Sequence, residues 1–279
     1  VCSSDLATAS AEQIKDSYHP MVNGSPITLM KDNYLTQKLG GRLVDLDVWV
    51  GEFMKFDDNI FNAAHDKTSD TIFSTAGGFK MEAEQKEVWK LRLEGQIQHN
   101  AYSRHSKYNG LQGYFHSRGD VDFSPAFGAH LGVNYDHSYD NARDIEDIFS
   151  LHRVSVNPGI TLRPSPFAGV DINYTYFGQR RNANRVKYTE YDRHTFSVRP
   201  YWDWTPNTTL YARLSANTVD PVKKEINGAQ SYSGVFGFAW KYKDAAKFHA
   251  EVGYKYMDFD KDGKIKDSHS SASRPIVRM

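Results

Sequence analysis

Nine runs between Trp89 and Tyr256 alternate residue by residue between two chemically opposite faces, and one of these faces contains no Asp, Glu, Lys or Arg. In the run that opens at Trp89, Leu91, Leu93, Gly95, Ile97 and His99 share one side, while Lys90, Arg92, Glu94, Gln96, Gln98 and Asn100 share the other. Successive side chains of a strand point to opposite faces, so each run reads as a strand with one apolar and one wet side. The apolar side of the nine runs comprises 49 positions; with 24% of the chain charged, even placement would put about 12 charges there, and none occurs. The opposite side carries Arg118, Asp120, Asp122, Arg163, Asp171, Arg199 and Arg213 among others. Strands of this kind stand between hydrocarbon and water.

The connections alternate as well. Links near 84–87, 124–126, 164–166, 205–207 and 243–246 are tight, whereas those near 57–70, 103–110, 140–149, 178–190, 219–230 and 260–273 are longer and polar. Short turns on one rim and long loops on the other predict an antiparallel up-and-down transmembrane β-barrel of the bacterial outer membrane. Amphipathic rings collect at membrane interfaces, and two sets fall where this reading requires them. Trp89, Phe127, Phe167, Trp202 and Trp240 lie toward the short turns, and Tyr135, Tyr176 and Tyr254 toward the long loops.

Two further strands are expected upstream, Leu43 to Phe56 and Thr71 to Met81. That makes eleven, or twelve with a partial terminal strand, whereas single-chain bacterial barrels close with an even number. The stretch Ile276 to Met279 is too short to be a strand on its own, so the barrel is expected to be incomplete. Val1 to Leu6 matches the translation of a sequencing-adapter end and is expected to be an artefact, with both termini truncated. Residues 7–41 lack the strand pattern and read as a periplasmic lead-in, with Gly40-Gly41 as punctuation before a barrel over 42–279.

Bulk composition constrains less. The 34 basic and 34 acidic residues balance, so charge points to no nucleic-acid partner. The single cysteine, Cys2, excludes a disulfide scaffold and a thiolate metal site. A mean hydropathy of −0.63 is low for a helical membrane protein but ordinary for a barrel, where half of each strand and every loop is polar.

At the end of the first upstream strand stands Phe56-Asp57-Asp58-Asn59-Ile60-Phe61. This stretch resembles the first hairpin of the outer-membrane β-barrel porins associated with exopolysaccharide and exosortase loci, the beta-barrel porin 2 group. The resemblance implies an outer-membrane location and polysaccharide traffic, with Asp57, Asp58, Asn59, Ile60 and Phe61 as the shared hairpin motif. Read by itself, the Asp-Asn pair is a strand-to-loop exit, because Asx side chains bond their own backbone.

Other chemistry is thin. Asp258, Asp260, Asp262 and Gly263 match the early positions of a calcium loop, but His269 stands where a bidentate Glu is required, so no metal is expected. The eleven histidines scatter over loops and both faces, and no Gly-x-Ser-x-Gly, His-Glu-x-x-His or phosphate-loop motif occurs. The chain is therefore not expected to be an enzyme or to carry a cofactor.

Function is expected on the charged face, with Arg92, Glu94, Arg118, Asp120, Arg153, Arg163, Asp171, Arg193, Arg199, Tyr201, Tyr211 and Arg213 as pore-lining candidates. Guanidinium forks suit carboxylate and phosphate, and tyrosines stack on sugar faces, so these residues suit an acidic polysaccharide or a small polar solute. The simpler reading is that the arginines pair with acids on their own face. A porin-like channel is favoured, with membrane lipid around it; a structural or adhesive outer-membrane protein with binding loops comes second, and a barrel-wall lipid hydrolase third. Two features disturb the pattern. Pro158 and Pro200 fall inside strands, where bulges or early strand ends are expected, and strict alternation turns Glu52 toward lipid unless Gly51 starts a bulge.

Overall fold

In the computed structural model, the described residues are 35–39, 42–60, 67–142, 147–182, 190–222, 228–242, 246–259 and 271–278. They form one antiparallel sheet of thirteen strands whose spatial order is the chain order: β1 (Leu35–Leu39), β2 (Arg42–Asp57), β3 (Asp70–Gln85), β4 (Trp89–Tyr102), β5 (Gly110–Ser124), β6 (Phe127–Ala142), β7 (Asp147–Ser165), β8 (Ala168–Asn182), β9 (Tyr191–Thr205), β10 (Thr208–Pro221), β11 (Ala229–Tyr242), β12 (Ala246–Phe259) and β13 (Ser271–Arg278). The protein is thus all-β and up-and-down, and the sheet is not closed: among the described residues no pairing joins β1 to β13. Among the described residues no helix is long and apolar enough to cross a membrane.

The described strands include the eleven expected and two short ones at the ends. Leu35–Leu39 pairs with β2, so a strand lies inside the stretch read as a lead-in; Gly40 and Gly41 lie outside the described residues. At the other end, Ser271–Arg278 pairs with β12 from Asp258 to Glu251, inside what reads as a loop. Five and eight residues are too short to show a period on their own; the neighbouring strand recruits them. The six-residue start, the stretch 7–34, Phe61 and the calcium-like positions 260–269 lie outside the described residues.

Along both edges the connections keep their alternation. Pro125-Ala126, Pro166-Phe167 and Pro206-Asn207 each close a hairpin with two residues, and Lys86 to Val88 does so with three, Glu87 adopting φ 64°. The opposite edge carries longer links, although β6 and β7 extend into the loop expected over 140–149 and leave only 143–146 between them.

Strict alternation survives both disturbing features. Pairing of β2 with β3 runs from Leu43 opposite Glu84 to Asp57 opposite Asp70 without a register shift, so there is no bulge at Gly51 and Glu52 does stand on the largely apolar face; register also carries Arg180, Asp192, Asp220 and Asp258 onto that face at its long-loop end. Nor is there a bulge at either proline. Leu131 faces Pro158 and Val170 faces Pro200 in unbroken register, and each proline leaves a gap in the ladder toward its other neighbour only, on the β8 and β10 sides respectively. An antiparallel residue directs its N–H toward one neighbouring strand, so a proline deletes bonds on one side and the other side holds the register.

Burial separates the two faces. Within the strands, every exposed large apolar or aromatic side chain lies on the uncharged face, among them Val50, Ile97, Leu131, Leu214, Phe236 and Val252. Among the described residues nothing packs over that face, because they form a single layer. The charged face is the crowded one, burying Asp70, Gln98, Ser155, Ser231 and Glu251. A single sheet buries one of its sides only by curling toward it, as a barrel wall does. Among the described residues there is no second sheet to cover the apolar face as in a β-sandwich core.

Candidate functional site: the charged face

The register places all twelve pore-lining candidates on one face. Arg92 and Glu94 from β4, Arg118 and Asp120 from β5, Arg153 and Arg163 from β7, Asp171 from β8, Arg193, Arg199 and Tyr201 from β9, and Tyr211 and Arg213 from β10 share it. Alternation alone puts them there, since residues two apart on a strand always share a side.

Charge on this face is divided along the sheet. Among the residues whose side chains are described, β2–β6 present ten carboxylates against the five cations Lys55, Lys80, Lys90, Arg92 and Arg118. Strands β7–β13 reverse the ratio, with ten cations against the three carboxylates Asp171, Asp203 and Glu251. The simpler reading of the arginines, pairing with acids, therefore holds for one part of the wall and only for some arginines of the other.

On the acidic part, cations are neutralised where they stand. Glu82 lies 3.5 Å from both Lys80 and Lys90 and 3.8 Å from Arg92, and Arg118 sits 2.9 Å from Asp120. The Tyr114 hydroxyl donates to Glu94 at 2.9 Å. Arg163, at the seam, reaches Asp122 two strands along the sheet at 3.0 Å.

On the basic part, one buried carboxylate serves several groups. Glu251, with 1% of its side chain exposed, is met by Arg213 at 2.5 Å and Arg278 at 3.4 Å. It also accepts from the Tyr211 hydroxyl at 2.9 Å, and that hydroxyl contacts His249 as well. Tyr211 is itself only 4% exposed and lies beneath the Arg199 guanidinium, 4.4 Å from its ring centre. The expectation that Tyr211 offers a free platform for a sugar ring is thereby corrected: its face is taken by an arginine, because a cation held over an aromatic ring is more stable than one facing other cations.

Arg153, Arg193 and Arg199 have no carboxylate within 4.0 Å among the described residues. The Arg153 Nε donates to Gln179 at 3.3 Å, and Arg193 lies over the Phe177 ring at 4.9 Å. Arg199 stands opposite Asp171 in register, yet Asp171 accepts from the Thr161 hydroxyl at 2.9 Å instead, and the buried Arg199 Nε has no hydrogen-bond partner. These environments of individual arginines are not readable from alternation, which assigns a face but not a neighbour.

The long-loop edge holds a second polar feature that sequence reading missed. Asp70, at the start of β3, is completely buried and accepts from the backbone N–H groups of Thr71, Arg104 and His105 at 2.7, 3.1 and 2.9 Å. The His105 ring lies 2.8 Å from the same carboxylate. Burial works against its charge, but the His105 contact and the three N–H groups outweigh burial and hold the Asp70 carboxyl below the usual carboxylate range. Within the hairpin motif, Asp57 accepts from the Asn59 N–H at 3.0 Å and from Lys55 at 2.7 Å, and Ile60 is buried. This is the Asx exit that the residues alone suggest. A sequence signal for Asp70 existed only as one more acidic residue beside a long loop.

The aromatic residues expected at the two rims stand on the uncharged face or in its turns. Trp202, Trp240, Phe127 and Phe167 are exposed at the short-turn edge, where Trp89 opens β4, and Phe127 stacks on Phe123 with ring centres 5.3 Å apart. Tyr135 and Tyr254 are exposed toward the long-loop edge. There the tyrosines are joined by histidines: Tyr135 to His152 at 3.0 Å and Tyr174 to His194 at 2.6 Å, while Tyr176 donates to Asp192 at 2.8 Å.

No family model matches the chain, and no curated protein matches it either. Among the described residues no group of three or more potential ligands is placed to hold a metal ion.

Proposed function

We propose that the chain forms part of the wall of a bacterial outer-membrane β-barrel, and that its charged face bounds a water-filled, porin-like conduit for polar solutes. One observation carries this reading: the largely apolar face is the exposed one, and among the described residues no second layer covers it. Contiguous apolar surface of such extent is stable in contact with hydrocarbon and not with water. Rings at both ends of the strands suit the two interfaces of a bilayer, with Trp and Phe on the short-turn side and Tyr on the long-loop side. A sheet of more than about eight strands, once closed, is wider than its own side chains can fill, which leaves room for water. The likeness of the Phe56 to Phe61 stretch to exopolysaccharide-associated porins adds a location to this reading and no more.

Purified protein refolded into detergent and then added to a planar lipid bilayer is expected to insert and to give stepwise ion conductance. A protein that inserts without any conductance would leave the wall without its conduit. One that stays soluble, β-rich and monodisperse without detergent would remove the membrane from the account altogether.

A further inference from the structure

Three arginines of the basic part are held against a ring or an amide and have no carboxylate within 4.0 Å among the described residues; Arg181, beside them on β8, likewise lies over a ring, that of Phe149, at 3.5 Å. Arg193 and Arg199 are fixed against the rings of Phe177 and Tyr211, and Arg153 against the amide of Gln179. A ring or an amide immobilises a guanidinium without cancelling its charge, so the cation keeps N–H donors for an outside acceptor. The carboxylate best placed to neutralise Arg199, Asp171, is engaged by Thr161. Six residues separate Arg193 from Arg199 on β9, which is about 20 Å along an extended strand. Arg153 continues the line at the long-loop end, because it pairs with Gln179, which pairs in turn with Tyr191 at the start of β9. The line thus runs from the long-loop mouth to the middle of the wall.

We propose that this line on β7–β9 is a binding track for an extended polyvalent anion, one that carries repeated carboxylate or phosphate groups along its length. A small anion would meet one guanidinium; only a chain-like one meets all three. The cation excess of β7–β13 supports the same ligand, since charges on adjacent strands lie within one Debye length, about 8 Å at physiological salt, and act together. The track rests on the reading above that this face meets water.

The test is equilibrium binding to the full chain refolded in detergent. The probes are fluorescently labelled oligogalacturonate of ten units, inorganic polyphosphate of similar length, and an uncharged malto-oligosaccharide of ten units. Both anions, or one of them, are expected to bind with an affinity that falls as salt rises, and the neutral chain is expected not to bind. Replacing Arg153, Arg193 and Arg199 together by Gln is expected to weaken anion binding at least about tenfold, the loss of a charge-assisted contact or more. Replacing Lys55, Lys80 and Lys90 by Gln removes the same charge from the acidic wall and is expected to change affinity less than about twofold. Unchanged strand content by circular dichroism and unchanged heat-dependent gel mobility establish that each variant is folded. Equal losses in the two triple variants, or binding of the neutral chain as well, would overturn the track. Conductance without this arginine-dependent binding refutes the track and spares the conduit; arginine-dependent binding without conductance does the reverse.

Discussion

The two faces of this sheet share one backbone ladder and differ in everything else. The apolar face is exposed and its side chains stand largely independent of one another; the charged face is crowded, and its side chains are tied into networks. In a water-soluble protein the order would be reversed, with the apolar side hidden. The inversion shows that hydrogen bonding along the strands sets the scaffold, while the environment on each side decides which side chains it can carry.

The largest effect is expected from moving a charge between the faces. Ile97→Arg places a guanidinium on the exposed apolar side in the middle of β4, whereas Gln96→Arg places it on the opposite side beside Glu94. In lipid the first should cost about 3 kcal/mol and the second less than about 1 kcal/mol, measured by reversible urea unfolding in vesicles. Equal costs would erase the distinction between the faces.

A smaller effect separates the two parts of the charged face. Glu251→Ala strands Arg213, Arg278 and the Tyr211 hydroxyl, so it should cost about 2 kcal/mol in the same assay. That is below the 3–5 kcal/mol of a fully buried pair, because 31% of the Arg213 side chain and 46% of the Arg278 side chain remain exposed. Glu82→Ala removes a solvated partner from three cations and should cost less than about 1 kcal/mol. A larger loss at Glu82 than at Glu251 would mean that water reaches the basic wall more freely than the acidic one.

The smallest effect concerns one exception to the pattern, the charge on β2. Glu52 is exposed on the apolar face, opposite Thr75, which in turn pairs with His99. Glu52→Leu should stabilise the protein in vesicles by about 1 kcal/mol, as removing a charge near a membrane interface does. The same change should be neutral or unfavourable in a protein that meets water on this side. A destabilised E52L variant in lipid would therefore count against the assignment of the face.

Fold class, strand direction and the face of each of the twelve candidate residues were legible in the chain, because a period of two is a local property and survives without neighbours. The same locality explains what was missed. Leu35–Leu39 and Ser271–Arg278 show no period of their own and become strands only by pairing with β2 and β12. Pro158 and Pro200 suggested bulges because proline removes an N–H, but the intact ladder on one side of each keeps the register, which a single strand cannot reveal.

Sequence by itself thus determined which side of its strand each residue occupies in the eleven strands it marks, and hence that one side is free of charge over most of its extent. Only the tertiary structure decided who stands beside whom across strands. It set Tyr211 under Arg199, gave Glu251 to two arginines and left Arg153, Arg193 and Arg199 without a carboxylate. The physical reason is that alternation follows from bond geometry within one strand, whereas neutralisation of a charge depends on side chains that are distant in the chain and meet only once the strands are in register.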